Sequence, residues 1–448
     1  MAKLWQKNYS LDKEIEKFTV GNDFVLDKNL IKHDVYGSIA HAAMLNKIGI
    51  LDEDELKKLK KALTEILNLS KNNQFDISQE DEDVHTAIEN CLVKKLGDLG
   101  KKIHTARSRN DQVLVDLRLY SKEKILQISL ALIDLLSSLI EFAQKNKDIP
   151  MPGYTHTRKA MPSSVGLLFG AYAESLLDNS KILKLAYNLN DQNPLGSATG
   201  YGINLDIDRE LTTRLLGFKK VQNNALYVQN SRGKIESVIV FSLSKIMEDI
   251  CRISNDFTLF STEEFGYFTL PDEFTTGSSL MPHKKNPDVL ELLRAKESVV
   301  ESNLFQINSI VAKLPSGYNR DLQLTKEPLI ESFETTLSCI NILKLVIKGL
   351  KANKENCTKS FTKDLFATDD VMALVKKGHP LREAYKEVAK DISKVKMQDP
   401  IKNILSKKHL GATGNLGFGE IEKQIKSLKG NIDSEIKKFD MKIKFLLR

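Results

Sequence analysis

The stretch NDQVLVDLRLYSKEKILQISLALIDLLSSLIEFAQKNK, residues 110–147, decides the fold of this chain. It contains no glycine or proline, and neither occurs between Gly100 and Pro150, so one continuous helix can span it. Its leucine and isoleucine residues recur at alternating spacings of three and four and form two neighbouring stripes. A helix with two apolar stripes is buried on more than one side, as in the interior of a helical bundle.

Four other segments also predict helices at least twice as long as the average of about 11 to 12 residues. They are 162–189, 233–265, 287–314 and 328–348. Strand signals are sparse, and the best of them, ALYVQ at 225–229, is short. We therefore expect a mostly α protein in which a central long-helix bundle domain, 106–355, lies between an N-terminal helical domain, 1–105, and a C-terminal helical domain, 356–448.

Composition excludes several classes of function. The 448-residue chain carries a net charge of +7, but its basic residues are spread out and not interleaved with aromatics, so no nucleic-acid partner is expected. The four cysteines lie far apart without metal-binding spacing, which is typical of reduced cytoplasmic thiols. The richest apolar run, 125–143, is broken by polar residues, so neither export nor a membrane span is expected. These features favour a cytoplasmic protein that binds an anionic small molecule.

The segment GSSLMPHKKNPD, 277–288, concentrates polar groups on one short loop. Its Asn286-Pro287-Asp288 sequence predicts a helix start, with the asparagine as N-cap and the acid in the first turn. The positive end of that helix would lie beside Lys284, where a carboxylate or phosphate can bind. Taken alone, such a segment is equally typical of a hydrated loop between helices.

Further polar clusters lie between predicted helices, at 78–89, 101–112, 151–162 and 316–328. His156, in a connection stiffened by prolines, can act as a general acid or base near neutral pH. Ser78 and Asp81 predict a capping box. A metal site built from Asp81, Asp83 and His85 lacks further ligands at helical spacing, so no metal is expected. Each cluster alone is usually a hydrated loop, but five that join apolar helices predict sites assembled at bundle ends.

Together these motifs resemble the fumarase/aspartase superfamily and, within it, the argininosuccinate lyases. The superfamily loop GSSxMPxKxNP stands here as GSSLMPHKKNP. The stretches EDVHTAIE, KKIHTARSRNDQVLVDLRLY, MPGYTHTRKAMP and LPSGYNRDLQLTKEP resemble the argininosuccinate branch. The likeness runs from Leu4 to about residue 395, with the remaining tail less similar.

The resemblance implies a three-domain, mostly α subunit whose five long helices join those of three other subunits in a homotetrameric core. Each active site would then draw on three subunits. The implied reaction is the reversible β-elimination of argininosuccinate to arginine and fumarate, a step of arginine biosynthesis. It implies neither a metal nor an organic cofactor.

Residue chemistry alone favours His156 as the base, because a serine hydroxyl is a very weak acid. The resemblance instead implies Ser278 as the base, Lys284 as the group that stabilises the developing charge, and His156 as the acid, oriented by Glu291. It also implies a lid around Gly277 that closes over the ligand. The substrate-binding residues that it implies are Asp83, His85, Ser108, Arg109, Asn110, Thr155, Asn286, Tyr318, Gln323 and Lys326.

Three stretches depart from the family pattern. LWQKNY replaces LWGGRF at 4–9, and GND, 21–23, replaces a pair of serines. In NALYVQNSRGKIES, 224–237, Arg232 persists but Gly233 replaces an acid. These changes affect recognition more than chemistry, so the amine half of the substrate stays open at this point.

Three alternatives therefore stand beside argininosuccinate cleavage. One is the same elimination on an N-acylated arginine precursor or another succinyl-amine. Another is a catalytically silent, crystallin-like structural or binding protein. The third is another enzyme of the superfamily, such as adenylosuccinate lyase, aspartase or fumarase, which RSRNDQ and YNRDLQ disfavour.

Overall fold

A computed structural model describes residues 12–448. The departure at 4–9, the first residues of the predicted N-terminal domain and the start of the family likeness lie outside the described residues. Helices dominate the rest of the chain. In chain order they are α1 Lys13–Val20, α2 Asp23–Leu26, α3 Ile31–Lys47, α4 Glu53–Lys71, α5 Val84–Leu96, α6 Asp98–Lys102, α7 Arg109–Lys145, α8 Val165–Asn190, α9 Arg209–Leu216, α10 Ala225–Asn230, α11 Lys234–Phe260, α12 Asp288–Val311, α13 Lys326–Gly349, α14 Lys354–Lys359, α15 Ala367–Lys376, α16 Leu381–Lys390, α17 Pro400–Ser406 and α18 Phe418–Leu447.

Short 3-10 helices and two-stranded sheets connect these helices. The 3-10 helices are Asp27–Asn29, Gln79–Asp81, Asp272–Phe274, Arg320–Thr325, Lys363–Phe366 and Ile392–Lys394. The strands are β1 Pro150–Thr155, β2 Arg158–Ser164, β3 Gln192–Asn193, β4 Lys220–Val221, β5 Phe268–Thr269 and β6 Lys351–Ala352. β1 pairs with β2 and β5 with β6 in antiparallel fashion, while β3 pairs with β4 in parallel.

The five predicted long helices are confirmed as α7, α8, α11, α12 and α13. The longest, α7, has 37 residues and begins where Ser108 and Asp111 form a reciprocal capping box. It packs against α3, α8, α13 and α18, which explains its two apolar stripes. By length and composition alone α7 could cross a membrane, but its apolar residues pack into the bundle core.

The C-terminal helix α18, with 30 residues, is a long helix that the sequence interpretation missed. It packs against α3, α7, α8 and α9 and adds buried residues such as Ile425, Ile432 and Phe439 to the main core. These residues lie seven positions apart, a helical spacing that could have predicted α18 from the sequence. A separate small core lies at 361–395. The three-domain division stays a prediction.

Two connections differ from the sequence interpretation. The best strand candidate, ALYVQ, is wrong: it forms α10, because the Asn224 side chain accepts a hydrogen bond from the Tyr227 backbone at 2.8 Å and caps a helix. The connection around His156 is non-helical as predicted, but it is the β1–β2 hairpin. His156 and Thr157 form its tip with φ of 51° and 57°, the left-handed pair that a tight hairpin turn requires.

A buried polar junction joins α3, α5 and α7. The Asp34 Oδ2 atom lies 2.5 Å from His85 Nδ1, and Asp116 Oδ2 lies 3.6 Å from the same nitrogen. All three side chains are buried, and their ligand atoms lie within 4.8 Å of one another, close enough to surround a cation. The Asp34–His85 hydrogen bond and the nearby Arg107 charge fit an ion-pair network equally well.

The pKa values of the two acids of this junction shift in opposite directions. Burial raises the pKa of Asp116 well above its ordinary value, and the charges of Asp34 and Asp27 add to that rise. Neither Asp116 oxygen has a hydrogen-bond partner in the described chain. Burial also acts on Asp34, but the hydrogen bond and charge of His85 hold the pKa of Asp34 below its ordinary value. Asp116 is therefore the acid of the pair that holds its proton more tightly.

We predict that Asp116→Asn gains stability relative to the wild type as pH rises. The folded state keeps a proton that the unfolded chain, with a pKa of about 3.9, has released, so wild-type stability falls above about pH 4 towards the folded-state pKa. Asparagine removes this loss, which amounts to about 1.4 kcal/mol per unit of pKa difference traversed. Urea unfolding at pH 5 and pH 8 measures the free energy of unfolding of both proteins. The prediction is contradicted if Asp116→Asn is less stable relative to the wild type at pH 8 than at pH 5.

Asp111→Asn is the matched control on the same helix. Asp111 is also buried, but its oxygens accept hydrogen bonds at 2.9 Å from the backbone N–H groups of Ser108, Gly196 and Ala198. An amide nitrogen cannot accept these bonds, so this variant should be destabilised by about 2 to 4 kcal/mol. Burial raises the pKa of Asp111 as well, but less than that of Asp116, so the stability of this variant relative to the wild type should change less between the two pH values.

Candidate active site

A cavity of about 130 Å³ lies between the start of α7, the N-terminal helices and the start of α13. We call it the acidic pocket, because Asp23, Asp27, Glu82 and Asp83 line it. It brings together seven of the residues predicted to bind substrate: Asp83, His85, Arg109, Asn110, Tyr318, Gln323 and Lys326. They come from three remote stretches of the chain, so the folded chain assembles much of the predicted site.

Lys326, the first residue of α13, is buried in the wall of the pocket. Its Nζ atom lies 2.5 Å from Asp27 Oδ1 and 3.0 Å from Asp23 Oδ1. Burial opposes the charged ammonium, but the two carboxylates raise the pKa of Lys326 above its ordinary value. The second oxygen of Asp27 accepts the Val84 backbone N–H at 3.1 Å. Lys326 is therefore a charged side chain whose ion pairs join α13 to the N-terminal helices across the pocket.

Arg109 is similarly occupied. Its Nη1 atom donates to Asp83 Oδ2 at 2.8 Å and to Glu82 Oε2 at 3.1 Å. Burial would raise the pKa of Asp83, but the charges of His85 and Arg109 hold it below its ordinary value. Asp83 also caps α5 through the Thr86 N–H at 2.8 Å. The carboxylate thus fixes both a helix start and a pocket cation.

Two further predicted residues have local partners. The Ser108 hydroxyl caps α7 by accepting the Asn110 backbone N–H at 3.2 Å. The Gln323 amide donates to the carbonyls of Thr19 and Val20 at 3.2 and 3.1 Å, which anchors the end of α1 to the pocket. These contacts were not predicted, because the partner of Gln323 lies about three hundred residues away in sequence.

Ser278 lies on the loop that precedes α12. Its Oγ atom accepts hydrogen bonds from the backbone N–H groups of Met281 at 3.1 Å and Leu280 at 3.3 Å. Lys285 pairs with Asp272 at 2.6 Å. Lys284 has no ion-pair partner among residues 12–448, and its side chain is exposed. The loop therefore presents a hydroxyl with two donors and an uncommitted ammonium.

The predicted N-cap role of Asn286 is wrong. The helix α12 begins at Asp288, Pro287 occupies the capping position, and no side chain caps that end. The Asn286 amide instead donates to the Gly277 carbonyl at 3.3 Å, and its backbone pairs with Thr276 across the base of the loop. Both the N–H and the carbonyl of Asn286 bond to Thr276, so this residue belongs to the base of the loop and not to the helix cap.

The remaining predicted residues lie elsewhere on the same chain. Lys284, Asn286 and Glu291 line an open cavity of about 960 Å³ beside the end of α11. Thr155 and His156 are exposed at the tip of the β1–β2 hairpin. His156 and Glu291 form neither a hydrogen bond nor an ion pair with each other in the described chain. The described chain thus distributes the predicted residues over three places: the acidic pocket, the Ser278 loop with the adjoining open cavity, and the hairpin tip.

Sequence interpretation missed five charged residues of the pocket: Asp23, Asp27, Glu82, Arg232 and Arg320. Asp23 belongs to the departing GND stretch, and Arg232 to the altered 224–237 segment. Counter-charges for Arg109 and Lys326 were to be expected, since buried cations need partners, but the pattern alone did not identify them.

Known proteins resemble the chain in sequence and in fold. A family profile described as Lyase matches residues 8–301. The argininosuccinate lyase of Thermotoga neapolitana is 46% identical over 88% of this chain and 99% of its own length. A solved structure of EDDS lyase in complex with formate superposes with a TM-score of 0.82 at 20% identity, covering 98% of this chain and 95% of its own. A class II fumarase from Schistosoma mansoni superposes with a TM-score of 0.72 at 17% identity, covering 91% and 97%.

The two solved structures are too distant in sequence to indicate more than the fold, and that fold is the predicted fumarase-like arrangement of long helices. The identity to the Thermotoga enzyme extends over nearly the whole of that relative. This chain therefore belongs to the lyase family that contains the argininosuccinate lyases.

Proposed function

We propose that this protein is a carbon-nitrogen lyase that cleaves argininosuccinate reversibly to arginine and fumarate. The observation that carries the proposal is similarity to an argininosuccinate lyase across 99% of that relative. It favours argininosuccinate over an acylated analogue and over a catalytically silent role. The reaction places the protein in arginine biosynthesis, and we propose a cytoplasmic location.

Ser278 is proposed as the base that removes the proton from the carbon next to a succinyl carboxylate. The hydroxyl is a very weak acid, and the form that acts as the base is the alkoxide, whose negative charge the N–H groups of Met281 and Leu280 would stabilise. The uncommitted Lys284 would stabilise the aci-carboxylate that forms. The electron pair then forms the fumarate double bond as the carbon–nitrogen bond breaks. His156, oriented by Glu291, would protonate the departing guanidino nitrogen.

The three separate places support a homotetramer with shared active sites. The hairpin tip with His156 and the Ser278 loop share no hydrogen bond or ion pair within residues 12–448, yet the reaction needs an acid and a base around one substrate. The central helices also expose large apolar side chains, including Leu292 at 60%, Phe305 at 75% and Leu345 at 52%. Such exposed faces mark association surfaces, and further copies of the bundle would cover them.

Ser278→Ala should lower the rate of fumarate release from argininosuccinate by at least about a thousandfold, as expected when a proton-transfer group is lost. The appearance of fumarate absorbance measures the rate. Ser279→Ala is the matched control, since its exposed hydroxyl makes no hydrogen bond within the described chain, and it should retain most of the rate. An equal loss of the fumarate-release rate in both variants would contradict the assignment of Ser278 as the base.

The substrate assignment is tested by offering argininosuccinate, adenylosuccinate, aspartate and malate side by side to the wild type. Argininosuccinate should be the one that yields fumarate at an enzyme-like rate. Turnover of another succinyl compound without turnover of argininosuccinate would overturn the assignment. No turnover of any of them would favour the silent binding protein.

Sharing of the site between subunits predicts complementation. Ser278→Ala and His156→Asn should each be inactive alone, but mixed tetramers formed in equal amounts should recover about a quarter of wild-type activity. This follows because half of the serines and half of the histidines remain and combine independently across subunits. Coexpression followed by the fumarate assay measures it. A failure to recover activity in verified mixed tetramers would place both residues in one subunit's site.

A further inference from the structure

Arg232 is a buried cation of the acidic pocket that lacks a polar partner. Its side chain is only 4% exposed, and its Nε atom has no hydrogen-bond partner. The described residues form no ion pair or side-chain hydrogen bond with it. The guanidinium lies 5.9 Å from the centre of the Tyr318 ring, a cation–π contact that gives the buried Nε–H no hydrogen-bond acceptor.

The other cations of the pocket are already engaged. Lys326 is held by Asp27 and Asp23, and Arg109 by Asp83 and Glu82. The fourth, Arg320, donates to the carbonyl of Thr19 at 2.7 Å. A buried guanidinium with unpaired N–H groups is costly unless an anion binds there. Arg232 is therefore the pocket cation that is available to a ligand.

The neighbours of Arg232 hold it in place. On one side, the Ser231 hydroxyl oxygen accepts hydrogen bonds from buried Arg118 at 3.0 Å and from Gln222 at 2.9 Å. On the other side, Gly233 occupies the N-cap position of α11, and its N–H donates to the Glu236 side chain at 2.6 Å.

Position 233 has room for glycine alone. Its φ is 79°, and a Cβ atom there would lie 2.1 Å from Val311 Cγ1. The glycine that replaces an acid in the family pattern thus lets the 224–237 segment pack closely against α12, and it fixes the backbone next to Arg232.

The charges around Arg232 select the type of anion. Asp23, Glu82 and Asp83 line the same small cavity, but Lys326 and Arg109 already pair with them. Arg232 is therefore left to balance one carboxylate, and the second carboxylate of a succinyl group would find no free cation there. An amino-acid head carries an ammonium and a carboxylate side by side, which matches acids next to one unpaired guanidinium. The proposed chemistry on the succinyl half belongs to Ser278 and Lys284, which lie on a different loop.

Resting on the proposed function, we infer that Arg232 binds the α-carboxylate of the arginine half of the substrate. The planar guanidinium can donate two parallel hydrogen bonds to that carboxylate, a geometry that lysine cannot reproduce. The acidic pocket is then the amino-acid end of the active site, and Arg232 is a specificity-determining residue for the amine half.

The test compares L-arginine with agmatine, which keeps the guanidinium and the amine but lacks the carboxylate. Binding of each to the full-length protein is measured by calorimetry. The wild type should bind arginine about tenfold to a hundredfold more tightly than agmatine, the difference expected for a charge-assisted contact. Arg232→Met should bind both equally, with its loss confined to arginine. Arg232→Lys, which keeps the charge but not the fork, should show an intermediate preference.

Arg320→Met is the matched control, because it removes a pocket arginine that already has a partner, and it should keep the preference for arginine. The inference is overturned if Arg232→Met keeps the wild-type preference, or if its loss falls on fumarate affinity instead. Should Arg232→Met fail to fold, as judged by circular dichroism, an unchanged preference in Arg232→Lys overturns the inference and a reduced one supports it. Because binding is measured without turnover, a wild type that prefers arginine but releases no fumarate would contradict the proposed function and leave the inference supported.

Discussion

The buried ion pair between Lys326 and Asp27 joins parts of the chain that no local interaction could bring together. The two residues are 299 positions apart, and the second oxygen of Asp27 accepts the N–H of Val84 at the start of α5. A single carboxylate therefore connects the N-terminal region, α5 and the first turn of α13. Loss of Lys326 would leave Asp27 as a buried charge without its cation, which is among the most costly defects a fold can contain, whereas loss of Asp27 would leave Lys326 with only the longer contact to Asp23. The width of the acidic pocket depends on this contact.

The long helix α7 connects the acidic pocket with the polar junction and the bundle core. Its first turn presents Arg109 to the pocket, its second places Asp116 in the polar junction with α3 and α5, and its apolar stripes pack into the bundle. A site on the end of a rigid helix is held more precisely than one on a loop. The Ser278 loop and the hairpin tip, by contrast, lie on connections between helices, and we propose that further copies of the chain complete them.

Much of the fold was accessible from the sequence. Five long helices were predictable because an uninterrupted 3.6-residue apolar period over twenty or more residues has few alternatives. The capping box of Ser78 and Asp81 was predicted and is confirmed, because capping depends on residues only three positions apart. The structure shows a second capping box of the same spacing at Ser108. The errors occurred where local signals compete. ALYVQ has strand-forming side chains but follows a capping asparagine, and Asn286 has the chemistry of an N-cap but is drawn into the loop base by backbone pairing.

The sequence by itself determined the helical period, the family and the set of polar residues available for chemistry, because these depend on residue type and short-range spacing. Only the tertiary structure decided which of those polar groups are free. Lys326, Arg109 and Lys285 have similar chemistry to Arg232 and Lys284, but the first three meet carboxylates and the last two do not. The Lys326 and Arg109 partners lie 299 and 26 residues away, and charge pairing depends on distance in space, which sequence spacing does not record.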